Sequence, residues 1–270
     1  MRTRLTTTAV LSALALLMAA PAAADPPADD DFDHPVAFTA VPFETTQDTT
    51  EATEAADDPE CIAGSTHTVW FSVTLPATTE IGIDTFGSDY DTVLSAWTGS
   101  RGSLEQVACN DDSGSLQSRI AFTAQAGVTY HVMAGAFPDS PAGTLVLHGY
   151  ALPPRVTLAV TIDATGSVSG GAAVLHGTVT CSRPVNLTVN GTLHQQQGRR
   201  AAVGSYRSEV SCSGTTTWQA TVRGETAAFR RGPADAVAVA EYVDLQRAET
   251  IRARAERTVQ LNCRLSPRGP

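Results

Sequence analysis

Acidic side chains gather in two short segments of this 270-residue chain, and their chemistry suits a cation. The segments hold five oxygen-bearing side chains: Asp89, Asp91, Asn110, Asp111 and Asp112. Carboxylate and amide oxygens are hard ligands, which suit calcium better than other metals. The spacing is not that of an EF-hand loop, and aspartate also caps turns through neighbouring backbone amides. The residues alone therefore leave two interpretations open, a calcium site and a pair of capped turns.

Hydrolytic chemistry has two superficial matches in the sequence. Residues 110–115 resemble the surroundings of a serine-protease nucleophile, and His67 lies upstream. The ~45 residues between His67 and Ser113 leave no room for the two barrels between which such a site is built. In residues 166–170, a valine stands where a Gly-x-Ser-x-Gly nucleophile is needed. We therefore predict a protein without catalytic residues, and a secreted hydrolase is the last alternative.

Aromatic residues are few, and they bear on a second alternative, a carbohydrate- or matrix-binding module. Such a module stacks sugars on exposed aromatic rings. This alternative predicts Trp97 and Tyr90 exposed together on one flat face. Otherwise the tryptophans Trp70, Trp97 and Trp218 are expected in the core or at its rim.

The start of the chain is typical of a secretory signal peptide. Arg2 and Arg4 precede an apolar run over residues 9–18, and small residues lead to Ala24. That run is shorter than the ~20 residues that span a bilayer. We predict cleavage after Ala24 and a secreted mature chain, extracellular or associated with the cell envelope, without a membrane span.

Charge divides the mature chain into two unlike halves. Residues 25–150 carry 20 acidic and 2 basic residues, a balance of −18, whereas residues 151–270 carry 8 acidic and 14 basic residues, a balance of +6. Such asymmetry indicates two domains. The acidic half argues against a nucleic-acid partner because phosphates would be repelled. The opposite charges also allow the two halves to dock on one another.

Five cysteines follow the signal peptide, and an exported protein meets an oxidising environment. Pairing Cys61 with Cys109 and Cys181 with Cys212 keeps each disulfide within one half of the chain. Each loop of that size contributes roughly 4 kcal/mol on the chain-entropy model. Cys263 is then odd: it can exchange into the second disulfide, stay free or pair between molecules.

Short alternating apolar rows predict an all-β chain of two antiparallel β-sandwiches. The segment of residues 25–37 is acidic and poor in apolar residues, so we expect it to be disordered. The first sandwich is expected over residues 38–151 and a proline-rich linker over residues 152–155. The second sandwich, over residues 156–265, has the strand number and cysteine placement of an immunoglobulin-like domain. Its seven predicted strands are residues 156–162, 173–181, 185–193, 202–212, 217–222, 236–243 and 250–261.

Five ordered blocks in the first half resemble the bacterial pre-peptidase C-terminal domain. The blocks are residues 69–73, 87–94, 109–112, 117–120 and 126–130. The resemblance covers roughly residues 36–150 and implies a jelly-roll-like sandwich, found in exported proteins, of which some bind calcium, matrix or carbohydrate. The second half is similar, more weakly, to a secreted immunoglobulin-like domain of unknown function, through residues 177–181, residues 211–212 and Trp218.

The resemblance also bears on the acidic residues, because it places both of their segments in loops. Loops that converge would bring the five side chains into one calcium site. The sequence thus predicts a secreted, non-catalytic accessory or binding protein, and calcium is the one candidate cofactor of its first sandwich beside the alternative of capped turns. Its partner would be an extracellular or envelope carbohydrate or protein.

Overall fold

Every regular element of the described chain is a β-strand, so the predicted all-β fold is confirmed. The structure, a computed structural model, describes residues 25–263. The predicted signal peptide, residues 1–24, lies outside that range. The first domain contains β1 (Val36–Phe38), β2 (Phe43–Asp48), β3 (Thr66–Thr74), β4 (Thr79–Asp84), β5 (Thr92–Ser100), β6 (Ser103–Asn110), β7 (Arg119–Ala124), β8 (Thr129–Ala136) and β9 (Thr144–Ala151). The second contains β10 (Leu158–Val160), β11 (Thr165–Ser169), β12 (Ala172–Gln197), β13 (Arg200–Arg223), β14 (Gly232–Asp244) and β15 (Glu249–Cys263).

The first domain is a sandwich of a five-stranded sheet, β1-β3-β8-β5-β6, and a four-stranded sheet, β2-β9-β4-β7. All pairings are antiparallel except that of β1 with β3. Alternation in β3 sends Val69, Phe71 and Val73 into the core between the sheets, as the sequence pattern predicts. Ile81 and Ile83 of β4 and Leu145 and Leu147 of β9 complete this core from the four-stranded sheet.

The segment of residues 25–37, predicted to be disordered, is instead folded against the five-stranded sheet. Asp29 is only 2% exposed, and the ring of Phe32 contacts Trp70 at a centroid distance of 5.0 Å. Composition misled the prediction because polar contacts and one aromatic ring dock the segment: the backbone N–H of Trp70 donates to the Asp29 carbonyl at 2.8 Å. The first domain therefore includes the residues from Asp29 onward.

The second domain has six strands rather than the predicted seven. The predicted strands 173–181 and 185–193 are one continuous strand, β12, and the strands 202–212 and 217–222 are likewise one, β13. A register shift between Cys181 and Val185 bends the β12–β13 pair without interrupting it. Four residue steps of β12 oppose two of β13 at this point, and such an insertion bends a strand while hydrogen bonding resumes beyond it.

One sheet supplies both layers of this second domain. The first half of β12 pairs with β10 and β11, and its second half pairs with β14. β15 then joins β14 to β11, so the sheet folds over and closes on β12. Inside it, Tyr206 and Trp218 of β13 stack at 5.8 Å in a core that also holds Leu175, Leu193 and Leu261.

Both predicted disulfides are present, one in each domain. Cys61 pairs with Cys109 and Cys181 with Cys212. Their Cα–Cα distances, 5.7 and 6.2 Å, lie in the usual range for disulfides. Cys263, at the end of β15, is an exposed free thiol in the structure.

The two domains dock through charged side chains around Glu80 of β4. Arg247, in the β14–β15 turn, donates from Nε and Nη2 to the two Glu80 carboxylate oxygens at 3.0 and 2.8 Å. Arg155 of the linker donates to Glu80 at 2.6 Å. Arg247 is 3% exposed and also pairs with buried Asp244 at 2.8 Å. The proline-rich linker is therefore fixed, and its Leu152 N–H donates to the Glu80 carbonyl at 2.8 Å.

Replacing Glu80 tests this ionic contact. We expect Glu80→Ala to lower the free energy of unfolding by about 2 kcal/mol, because Arg247 loses two charge-assisted hydrogen bonds and keeps Asp244 as its ionic partner. The matched control is Glu241→Ala, which breaks a pair with a largely exposed arginine, Arg252, and should change stability by under ~1 kcal/mol. Urea denaturation measures both, and equal effects of the two substitutions would contradict the role of Glu80.

The same contact predicts a pH dependence of stability. Hydrogen bonds from Arg247, and then from Arg155, hold the pKa of Glu80 below its ordinary value of 4.5. A carboxylate whose pKa is lowered by folding stabilises the folded state above its unfolded pKa, and that contribution is lost as the pH falls further. Wild-type protein should thus lose more stability than Glu80→Ala on acidification below about pH 4.5.

Candidate functional site

The structure brings only part of the predicted calcium cluster together. Asp91, Asp111 and Asp112 are close enough that the charges of the latter two raise the pKa of Asp91, after the larger effect of burial. Asp91 Oδ1 is buried without a hydrogen-bond partner in the described chain. Asp89 instead turns towards β9, where its Oδ1 accepts from the Thr144 N–H at 2.8 Å.

The side chains of two further predicted ligands, Asn110 and Asp111, have backbone partners. Asn110 Oδ1 accepts from the Arg119 N–H at 2.8 Å, and its amide donates to the Asp112 carbonyl at 2.9 Å. Asp111 Oδ1 accepts from the Asp112 N–H at 2.9 Å. Among residues 25–263, no three His, Cys, Asp or Glu side chains are arranged to hold a metal ion. These turns match the capping interpretation in part, and calcium binding stays a prediction.

The aromatic pair that would have indicated a sugar platform is buried. Trp97 and Tyr90 are each 5% exposed. The Trp97 indole donates to Ser95 at 2.8 Å, and burial raises the pKa of Tyr90 to about 12. The expected flat face of Trp97 and Tyr90 is therefore absent, because Tyr90 packs in the core between the two sheets and Trp97 is covered on the outer face of the five-stranded sheet.

A different candidate site lies on the outer face of the four-stranded sheet. Four titratable side chains form a row across all four strands, because strand register places Glu44 opposite His148, His148 opposite Asp84, and Asp84 opposite Arg119. The row alternates with the inward apolar residues of the same strands, so it faces away from the core. We call it the charged row.

Asp84 is the centre of the charged row. Its side chain is 7% exposed and lies 3.1 Å from His148 Nδ1 and 3.8 Å from Arg119 Nε. At the end of β4 its Oδ1 also accepts from the Phe86 N–H at 3.3 Å. Glu44, which is 68% exposed, lies 3.9 Å from His148 Nε2. The buried carboxylate thus holds the imidazole by a hydrogen bond. It lies within ion-pair distance of the guanidinium, whose Nε has no hydrogen-bond partner in the described chain, and Glu44 remains open to a ligand.

Two aromatic rings flank the charged row. Tyr150 lies over Gly82, where an added Cβ would come within 2.7 Å of the ring, so the absence of a side chain lets the ring lie on the sheet. Burial, and then the charge of Asp84, raise the pKa of the Tyr150 hydroxyl to about 12. On the other side, the Arg119 guanidinium sits 4.4 Å from the centroid of Phe86.

The rings and three residues of the row, Glu44, Asp84 and His148, line an open depression of about 560 Å³. Its walls are Pro42, Phe43, Glu44, Asp84, Phe86, His148, Gly149 and Tyr150. Sequence reasoning missed this site because its residues come from four separate strands. The available signal was the inward apolar residue at every second position of β4, β7 and β9, which shows which residues face outward but not the register that aligns them.

No protein-family model matches the chain, and no curated protein matches it. Solved structures align with it only weakly. They include β-glucuronidase 3 of Bacteroides uniformis, with TM-score 0.27 and 8% identity over 72% of this chain and 27% of that one. The β-glucuronidase of Ruminococcus gnavus has TM-score 0.24 and 10% identity over 72% and 35%. This chain thus spans about a third of those proteins, and similarity at this level carries no functional argument.

Calcium binding at the acidic turns can be tested by thermal unfolding. If calcium binds, millimolar calcium should raise the melting temperature, since a ligand of the folded state alone stabilises it, and EDTA should lower it. Asp91→Asn should abolish that response. It should also raise the melting temperature without calcium, because it removes repulsion by Asp111 and Asp112. A melting temperature indifferent to both calcium and EDTA would rule the site out.

Proposed function

We propose that this chain is a secreted, non-catalytic binding protein that recognises carbohydrate at the charged row. The observation that carries the proposal is the open depression in which Tyr150 and Phe86 flank fixed polar groups. Ligand sites combine apolar and aromatic walls with a few placed polar groups. An aromatic ring packs against the apolar face of a sugar, while carboxylate and imidazole groups bond its hydroxyls.

Charge narrows the class of carbohydrate. The first half of the chain has a balance of −18, so its field repels polyanions such as acidic polysaccharides and nucleic acids. A neutral or amino sugar meets no such barrier. Glu44 is the exposed carboxylate of the row, and it suits a hydroxyl or an ammonium donor.

Binding rather than catalysis fits the state of the charged row. Asp84 is engaged by His148, Arg119 and the Phe86 amide. A carboxylate held by three such contacts positions its neighbours rather than transferring a proton. A secreted hydrolase would need a carboxyl group or nucleophile released from contacts of this kind.

Secretion is part of the same proposal. The signal-peptide pattern of residues 1–24 and the two disulfides both support an oxidising compartment. No helix of residues 25–263 is long and apolar enough to cross a membrane. The resemblance to the pre-peptidase C-terminal domain also belongs here, and the two-sheet sandwich of the first domain supports it.

Substitution of Tyr150 tests the proposed function. We expect the wild-type protein to bind cellohexaose, chitohexaose or laminarihexaose in isothermal titration calorimetry. Tyr150→Ala should weaken that binding at least about tenfold through loss of the ring, which corresponds to about 1.4 kcal/mol. Tyr150→Phe keeps the ring and should stay within about threefold of wild type.

Thr46→Ala is the control, because this exposed residue of β2 lies on the same face outside the depression. It should bind as wild type does. The proposal fails if the wild-type protein binds none of the three sugars, or if Tyr150→Ala binds as tightly as the control.

A further inference from the structure

The opposite outer face of the first sandwich carries a second, separate aromatic cluster. Trp70 of β3, Trp97 of β5 and Met133 of β8 point away from the main core and pack together on the five-stranded sheet. They are 1%, 5% and 3% exposed. An apolar face of this kind on the outside of a sheet requires a cover.

Residues 27–34, which we call the strap, form part of that cover. Only one of their side chains enters the cluster: Phe32, whose ring lies edge-on to Trp70 at 5.0 Å and 4.4 Å from the ring of His131. The backbone N–H of Trp70 donates to the Asp29 carbonyl at 2.8 Å. Gln47 donates to the Asp29 carboxylate at 3.1 Å. Asp30 also accepts from the backbone N–H and the hydroxyl of Thr53, both at 2.6 Å, so exposed polar contacts and one aromatic ring hold the strap.

Arg101 pins the strap from the side. It bonds Asp31 at 2.7 Å and Asp33 at 3.1 Å, and it also bonds Asp57 of the neighbouring loop at 2.7 Å. Arg101 is one-third exposed and the three carboxylates at least half exposed. Exposed ion pairs contribute little to stability and are screened by salt. The ion pairs of Arg101 can therefore break while the sandwich stays folded.

Two polar atoms under the strap have no hydrogen-bond partner in the described chain, Trp70 Nε1 and His131 Nδ1. Native structures rarely leave such buried groups unsatisfied, because their lost hydration is then not offset. Burial lowers the pKa of His131, and a hydrogen bond with the Gly99 carbonyl opposes that shift. A neutral imidazole has one donor and one acceptor nitrogen, so Nδ1 can accept a hydrogen bond, whereas the Trp70 indole can only donate one.

A donor and an acceptor beside an aromatic face define a specific ligand chemistry. A hydroxyl group both accepts and donates, so hydroxyls on a ring placed where Phe32 now lies satisfy Trp70 Nε1 and His131 Nδ1 together. The flat apolar side of a pyranose ring matches the surface that the phenyl ring of Phe32 covers. The acidic charge of this half favours a neutral sugar.

We propose that the strap is a displaceable mask over a second carbohydrate-binding face, in which a neutral pyranose replaces Phe32 against Trp70 and His131. This goes beyond the proposed function, because the charged row lies on the other sheet. Binding here competes with the strap. The apparent affinity of the wild-type protein for the sugar is therefore the affinity of the uncovered face multiplied by the fraction of molecules in which the strap has lifted.

Variants that open the strap test the mask, and all of them are made in a Tyr150→Ala protein so that the charged row does not contribute. Phe32→Ala removes the ring that covers Trp70. Arg101→Gln removes the ion pairs that hold the strap and leaves its apolar contacts in place. Titration of each with cellohexaose, chitohexaose and laminarihexaose should show at least one sugar bound about tenfold more tightly than by Tyr150→Ala alone. Leu116→Ala, which shortens an apolar side chain that is 56% exposed, is the matched control and should change nothing.

Trp70→Phe, added to each opened variant, tests whether the gained sugar binding takes place at Trp70. It keeps an aromatic ring and removes the indole N–H, so binding should weaken about tenfold while circular dichroism confirms the fold. The Trp70 indole proton should also shift in NMR spectra when sugar is added to the opened variant. If Phe32→Ala does not fold, Arg101→Gln alone decides.

The mask is disproved if folded, opened variants bind none of the three sugars or bind them no more tightly than the parent. It is also disproved if Trp70→Phe leaves the gained affinity intact. These outcomes are independent of whether the charged row binds carbohydrate, because all the variants in this test carry Tyr150→Ala and lack the Tyr150 ring.

Discussion

Alternation of side chains across two facing sheets is the constraint on which the first domain depends. Because every second residue of β3, β4 and β9 is apolar and turned inward, the residues between them are forced outward. On the four-stranded sheet as a whole, the outward residues include Glu44, His148, Asp84 and Arg119. On the five-stranded sheet they include Trp70, Trp97 and Met133. A slip of one residue would exchange core and surface along a whole strand, so both outer faces are as firmly specified as the core.

The two outer faces are treated differently for a physical reason. The charged row can remain in contact with water, since its side chains are polar. Its one buried carboxylate, that of Asp84, already contacts His148, Arg119 and the Phe86 N–H. The aromatic face cannot remain bare, and segments of the acidic chain cross it, tied together by Arg101. Composition made the strap look disordered, yet a segment of low hydrophobicity can be held by a surface that needs covering.

Charge asymmetry between the halves of the chain has a structural counterpart. The acidic half contributes Glu80, and the basic half and linker contribute Arg247 and Arg155, at the junction of the domains. Burial of Arg247 with Asp244 gives this junction a fixed geometry, because a buried guanidinium must keep its partners. The four-stranded sheet that carries the charged row is the same sheet that supports this junction through β4. Its site therefore lies on a braced element, although its ligand would meet it from open solvent.

Much of the fold was determined by the sequence alone, and the site was not. Local alternation predicted β-strands such as residues 236–243, and cysteine positions predicted both disulfides, because these signals lie in neighbouring residues or in one half of the chain. The acidic residues predicted as calcium ligands show the limit: Asp91 and Asp112 approach one another, while Asp89 turns to β9. Strand continuity through the bend at Cys181, the docking of Phe32 and the alignment of Glu44, Asp84, Arg119 and His148 were decided only by tertiary structure. Each depends on register between strands that are distant in sequence, and register is fixed by packing rather than by local composition.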